Sequence, residues 1–135
     1  MLIGYRYAPL GSGILAGQIK SYDDIPDGDF RKGMPRFQPE NFHLNMELVN
    51  RLQEVAKHQG CTPAQLSIAW ARQACENIKG SPEVIPIPGA VTKERILENA
   101  KAVKLDEQTL KDIEKILGEV EVVGRRYPEY MPIEG

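Results

Sequence analysis

The feature that most constrains this chain is how few strands it offers. Two stretches read as strands, the opening "LIGYRY" and the run Val84–Ile87, while four stretches carry helical periodicity. A helix pair separates the two strands, so parallel pairing of the βαβ kind is expected. Both strands are short and largely apolar, the pattern of strands covered on two sides. Two parallel strands leave both sheet edges open and give four helices too little surface to pack on. The chain therefore reads as one sector of a larger α/β structure.

The helices are marked by their caps. Leu48, Leu52, Val55 and Ala56 fall at i, i+4, i+7 and i+8 of a first helix that ends near Gly60. Thr62-Pro63-Ala64-Gln65 opens a second, with Thr at N-cap, Pro at N1 and Gln at N3. It places Leu66, Ala69, Trp70 and Ala74 on one side and fades around Lys79-Gly80-Ser81-Pro82. Thr92 or Lys93 begins a third, with Ile96, Leu97 and Ala100 inward. Asp106 caps a fourth, with Leu110, Ile113 and Leu117 inward and Gly118 at its end. The tail "EVEVVGRRYPEYMPIEG" has no helical period and is expected to run over the surface. From Gln18 to Asn41 the chain is polar and turn-like, with Asp23, Asp24, Asp27 and Asp29 set among prolines and glycines. A loop of that length covers a ligand or is disordered.

Charge excludes two classes of partner. Lys and Arg number 17 against 19 Asp and Glu, a net of −2, so neither a nucleic-acid nor a membrane-surface footprint is present. No apolar run approaches the roughly 20 residues of a membrane span, and "MLIGYRYAPL" lacks the basic start and apolar h-region of a signal peptide. Cys61 and Cys75 are too few for a disulfide framework; they read as small buried hydrophobes in a reducing, cytoplasmic setting.

Two segments carry chemistry. In "VIPIPGAVTKERILENAKAV" a strand stops at Pro88-Gly89 and hands over to a helix N-terminus, where free N–H groups and the helix dipole suit an anion. Gly89 permits close approach of a ligand, Thr92 can cap the helix, and the planar guanidinium of Arg95 suits a phosphate monoester. Glu98 and Asn99 project from the same side and match the amino and ring nitrogens of an adenine. A plain amphipathic helix with an Arg95–Glu98 surface pair fits the same spacing. In "YAPLGSGILAG", Tyr7 ends a strand where α/β proteins place ligands; it could stack on a flat ring or be core. Gly11, Ser12 and Gly13 could offer N–H groups to a pyrophosphate. No catalytic or metal-ligating set is evident: His43 and His58 read as surface residues, and Tyr5, Tyr22, Tyr127 and Tyr130 lack a basic partner at useful spacing.

Both segments resemble one family. "YAPLGSGILAG" is similar to the "YSPLGRGxLTG" segment after the seventh strand of aldo-keto reductases, and "VIPIPGAVTKERILENAKAV" to their eighth strand and helix, the NADP-binding signature. The stretch between resembles a bacterial, plant and fungal, pyridoxal-reductase-like branch in its "DFR", "PRF", "EN" and "CTPAQL" patterns, as does "GRRYPEYM" in the tail. The resemblance implies an α/β fold. It corresponds to the last two β/α units of a (β/α)8 TIM barrel, with a long cofactor-belt loop and a C-terminal tail. Residues 1–135 would form one partial aldo-keto reductase domain, truncated before the seventh barrel strand.

The resemblance also implies roles. The family reduces aldehydes and ketones by hydride transfer from NADPH. Tyr7 would stack on the nicotinamide; Pro9, Leu10, Gly11 and Ser12 would wrap the pyrophosphate; and Arg31 would belong to the strap over the cofactor. Gly89 and Val91 would form the turn near the adenosine phosphate, Arg95 would clamp the 2′-phosphate, and Glu98 and Asn99 would contact adenine. Ala8, Gln18, Ala90 and Val91 depart from the family pattern, each removing a phosphate hydrogen bond typically worth about 1.5–3 kcal/mol when charge-assisted. Arg6 stands where the family has a small residue, and by alternation it would face the outer helices unpaired. The family's catalytic tyrosine, lysine, aspartate and histidine belong to segments before the first residue here. The chain alone is thus expected to be inactive, its small-molecule carbonyl substrate, which the resembled branch suggests is aromatic or vitamin B6-like, being met only in the full-length enzyme. The alternative is a non-catalytic NADP-binding or partner-binding module that self-associates through open sheet edges.

Overall fold

The computed structural model describes residues 3–76 and 78–131. Strands β1 (Ile3–Tyr7) and β2 (Glu83–Ile87) pair in parallel, with Tyr5 opposite Ile85 and Tyr7 opposite Ile87. Between them run helices α1 (Pro39–Gln59) and α2 (Pro63–Gln73); after them come α3 (Lys93–Ala100) and α4 (Glu107–Glu119). The fold is thus α/β with parallel strands, as the element order requires.

The caps do what their residue types dictate. Gly60 closes α1 with φ of 70°, a left-handed conformation that costs glycine little. Thr62 and Gln65 form a reciprocal capping box at α2. Thr92 accepts from the Arg95 N–H at the start of α3, and Asp106 from the Thr109 N–H at the start of α4. The Asp106 carboxyl lies below its ordinary pKa because that backbone N–H stabilises the charged form.

The principal core lies between α1, α2 and α4, where Leu48, Leu52, Ala56, Leu66, Ala69, Leu105, Ile113, Ile116 and Val120 are buried together. A second cluster corrects the expectation of a structureless loop. Ile19, Ile25, Met34, Phe37 and Phe42 pack together, and three 3-10 turns shape the segment: Tyr22–Asp24, Phe30–Gly33 and Pro35–Phe37. The few apolar residues among the aspartates are enough for a small core of their own, and α1 begins at Pro39, within the expected loop.

Other corrections follow from which faces find a partner. Only one face of the sheet is covered: along each strand alternate residues are exposed, so Ile3, Tyr5, Tyr7, Ile85 and Ile87 form a bare apolar face. In α3, Ile96, Leu97 and Ala100 are exposed, not inward, because nothing in the described residues covers that stripe. In α4, Ile116 is buried in place of Leu117, and Leu110 is half-buried. Helix α2 stops at Gln73, before the expected fade. Arg6 is not unpaired: its Nη2 donates to Cys75 Sγ at 3.2 Å and its guanidinium lies 5.6 Å from the Trp70 ring centroid. Both cysteines are free and half-buried, not fully buried, and desolvation pushes the Cys61 thiol above its ordinary pKa.

The tail is seated, not loose. Asn45, buried on α1, donates to the carbonyls of Arg36 and Val123 and accepts from the Val123 N–H at 2.9 Å, joining helix, loop and tail. Gly124, with φ of 83°, fits against Pro35 and Asn41 where no side chain could. The end of the expected tail, residues 132–135, lies outside the described residues.

Candidate functional site: a cavity at the carboxyl ends of the two strands

A parallel pair ends its strands on the same side, and there the loops after β1 and β2 diverge and enclose a cavity of about 440 Å³. Nine of the eleven residues singled out from the sequence line it: Tyr7, Leu10, Ser12, Arg31, Gly89, Val91, Arg95, Glu98 and Asn99. Pro9 and Gly11 lie behind it, Pro9 among Leu15, Leu52, Leu66 and Trp70, and Gly11 beside Phe37 and Asn45. The Pro88-Gly89 junction lines it as expected, while sequence reasoning missed Ala16, Phe30, Ala64 and Ile87, which also line the cavity. Phe30 could have been found: a large aromatic, 65 % exposed within a polar loop, is unusual unless something is meant to lie on it.

The loop after β1 is strained. Ala8 and Ser12 adopt positive φ of 49° and 58°, with Gly11, Gly13 and Gly17 also left-handed. This winding directs the Gly11 and Gly13 N–H groups back to the carbonyls of Ala8 and Leu10, at 3.0 and 2.9 Å. Those two donors are therefore committed to the loop rather than to an anion. Tyr7 stands at the strand end 68 % exposed, so it is not core.

Two cations line the cavity. Arg31 is gripped by Asp29, with Nε on Oδ1 at 2.9 Å and Nη2 on Oδ2 at 2.6 Å, and its Nη1 donates to the Ser12 carbonyl at 3.2 Å. This pairing holds the Asp29 carboxyl at about 2 and raises the Arg31 pKa. Arg31 thus ties the long loop to the β1 loop with its charge already balanced. Arg95, one turn into α3, donates to the Gln18 Oε1 across the opening. Among the described residues Arg95 has no carboxylate partner, and an Arg95–Glu98 pair is not formed. Val91 is 90 % exposed and Gly89 has open space around its Cα, so the turn before α3 is free to meet a ligand.

The site can therefore hold a long, flat-ended anionic molecule: an exposed aromatic at one end, and an unbalanced guanidinium beside a helix N-terminus at the other. The described cavity lining contains no Lys or His, and Tyr7 is its only Tyr. Among the described residues no cluster of three or more His, Cys, Asp or Glu could hold a metal, and no helix is long and apolar enough to cross a membrane.

Comparison with known proteins gives a consistent result. The aldo/keto reductase family profile matches residues 3–118. Over 124 residues, covering 90 % of this chain and 35 % of the relative, the sequence is 44 % identical to the aldo-keto reductase yakc [NADP(+)] of Schizosaccharomyces pombe. It is 35 % identical over 122 residues to the aldo-keto reductase str7 of Strobilurus tenacellus, covering 89 % of this chain and 34 % of that protein. The chain thus spans about a third of the length of these relatives.

Proposed function

The chain belongs to the aldo/keto reductase family, and from that premise we propose that it forms the NADP(H)-binding C-terminal portion of an enzyme that reduces aldehydes or ketones. Its two strands and four helices correspond, in this reading, to the last two β/α units of a (β/α)8 barrel. NADP(H) is the cofactor, as the name of the Schizosaccharomyces pombe relative states for that protein. The nicotinamide would lie on Tyr7, the pyrophosphate along Leu10 and Ser12 beneath the Arg31 strap, and the adenosine end at Gly89, Val91, Glu98 and Asn99.

One observation carries the reading: Arg95 lines a cavity of about 440 Å³ from a helix N-terminus, with no carboxylate partner among the described residues. The 2′-phosphate that distinguishes NADP from NAD would displace Gln18 and supply that charge. The bound cofactor provides the hydride; this chain's residues bind and orient it. In this reading the residues that protonate the carbonyl come from the rest of the enzyme, and this chain's part is to bind and orient the cofactor. Calorimetric titration tests this. Saturable NADPH binding, at least tenfold tighter than NADH and reduced to the NADH level by Arg95→Ala, is expected. Equal affinity for the two cofactors, or an Arg95→Ala variant that binds NADPH as well as the parent, would overturn it.

A second reading is a non-catalytic module that binds NADP or a partner. The bare sheet face and the open sheet edges give such a module a means of self-association.

A further inference from the structure

Arg126 comes from the C-terminal tail, yet it lies against Tyr7, one of the residues that line the cavity. Its guanidinium carbon lies 5.7 Å from the Tyr7 ring centroid and its Nη2 approaches the Tyr7 carbonyl oxygen at 3.4 Å. Tyr127 holds it from behind, with the guanidinium 5.5 Å from that ring. Among the described residues it has no carboxylate partner, whereas its neighbour Arg125 is paired with Glu129 at 3.1 Å. Arg36 adds a second positive charge nearby, its Nε donating to the Gly124 carbonyl at 3.2 Å. Burial first, and the Arg126 charge second, hold the Arg36 pKa below its ordinary value.

We infer that Arg126 sets the preference of this site between the two redox states of its cofactor, favouring NADPH over NADP+. The inference rests on the reading that the nicotinamide lies on Tyr7. In NADPH the nicotinamide ring is neutral; loss of hydride to a carbonyl carbon leaves it with a positive charge. A fixed guanidinium against the same aromatic platform repels only the oxidised ring. A repulsion felt by the oxidised state alone is a differential interaction, which is what a preference requires. The tail is tethered through Gly124 and Asn45, so the charge stays near the ring whether Arg126 remains on Tyr7 or moves to its edge. In a complete enzyme that carried this site, the bias would favour loading of the reduced cofactor and release of the oxidised one.

Separate titrations of the 135-residue protein with NADPH and NADP+, at low and at physiological salt, test this. Across one aromatic ring and partly through solvent, a unit charge should change the NADP+ to NADPH ratio of dissociation constants by about two- to tenfold. Arg126→Gln should lose that factor, Arg126→Lys should keep most of it, and Arg126→Glu should invert it. Added salt should shrink the ratio for the parent and leave Arg126→Gln unchanged. The same ratio in all four proteins would overturn this inference while leaving the cofactor site intact. Failure of the parent to bind either cofactor would overturn the cofactor reading and this inference with it.

Discussion

Arg31 is bound to Asp29 by two of its guanidinium nitrogens and to Ser12 by the third, so one side chain fastens the long loop over the loop that follows β1. The fork geometry matches the planar guanidinium to the carboxylate, and the Asp29 oxygen also accepts from the Arg31 backbone N–H at 2.9 Å. Arg31 thus holds the two loops together through its own contacts, and the proposed cofactor reading needs only Arg95 to change partners.

That pair predicts a pH dependence. The Asp29 carboxyl is depressed from 3.8 to about 2, chiefly by hydrogen bonds from Arg31. A depressed carboxylate stabilises the fold fully above its unfolded value and loses that contribution as pH falls through the folded one. Melting temperature should therefore decline between pH 4 and pH 2, and Asp29→Asn should flatten part of this decline. Because the pair is partly solvated, its contribution is of order 1 kcal/mol. An unchanged acid limb in the variant would show that the strap is held by its small apolar core alone.

Tail docking predicts a sharp contrast between two glycines. A Cβ on Gly124 would stand 3.0 Å from the Pro35 carbonyl and 2.9 Å from the Asn41 amide, at φ of 83°. Gly28 has nearly the same φ, 81°, with nothing within 4 Å. Gly28→Ala should cost about 1 kcal/mol, the backbone term alone. Gly124→Ala should cost about 2 kcal/mol or more and release the tail. Thermal unfolding measures the first difference, and the rate of tryptic cleavage after Arg125 and Arg126 measures the second.

The bare sheet face predicts association. Ile3, Tyr5, Tyr7, Ile85 and Ile87 are all more than a third exposed on one side of two strands whose outer edges are unpaired. Light scattering coupled to size exclusion should give a mass above 15.1 kDa that rises with concentration. Tyr5→Lys combined with Ile85→Lys should shift it towards the monomer. A parent protein that stays monomeric and melts cooperatively would mean that the face is stable in water as it stands.

What the sequence determined by itself is mostly what acts over one helical turn. Thr62, Thr92 and Asp106 cap their helices because each hydroxyl or carboxylate meets an N–H three residues ahead. Parallel pairing followed from the spacing of two strands around a helix pair, and the two ligand-like segments meet in one cavity because parallel strands end on the same side. The tertiary structure alone decided the rest. Arg6 finds Cys75 across 69 residues, Asn45 finds Val123 across 78, and Arg126 finds Tyr7 across 119. No local pattern encodes such partners, since a side chain's neighbours at that separation depend on where every intervening element packs. For the same reason the apolar stripe of α3 could be read but not its exposure: amphipathicity states which face would be buried, and only the packed structure states whether anything lies against it.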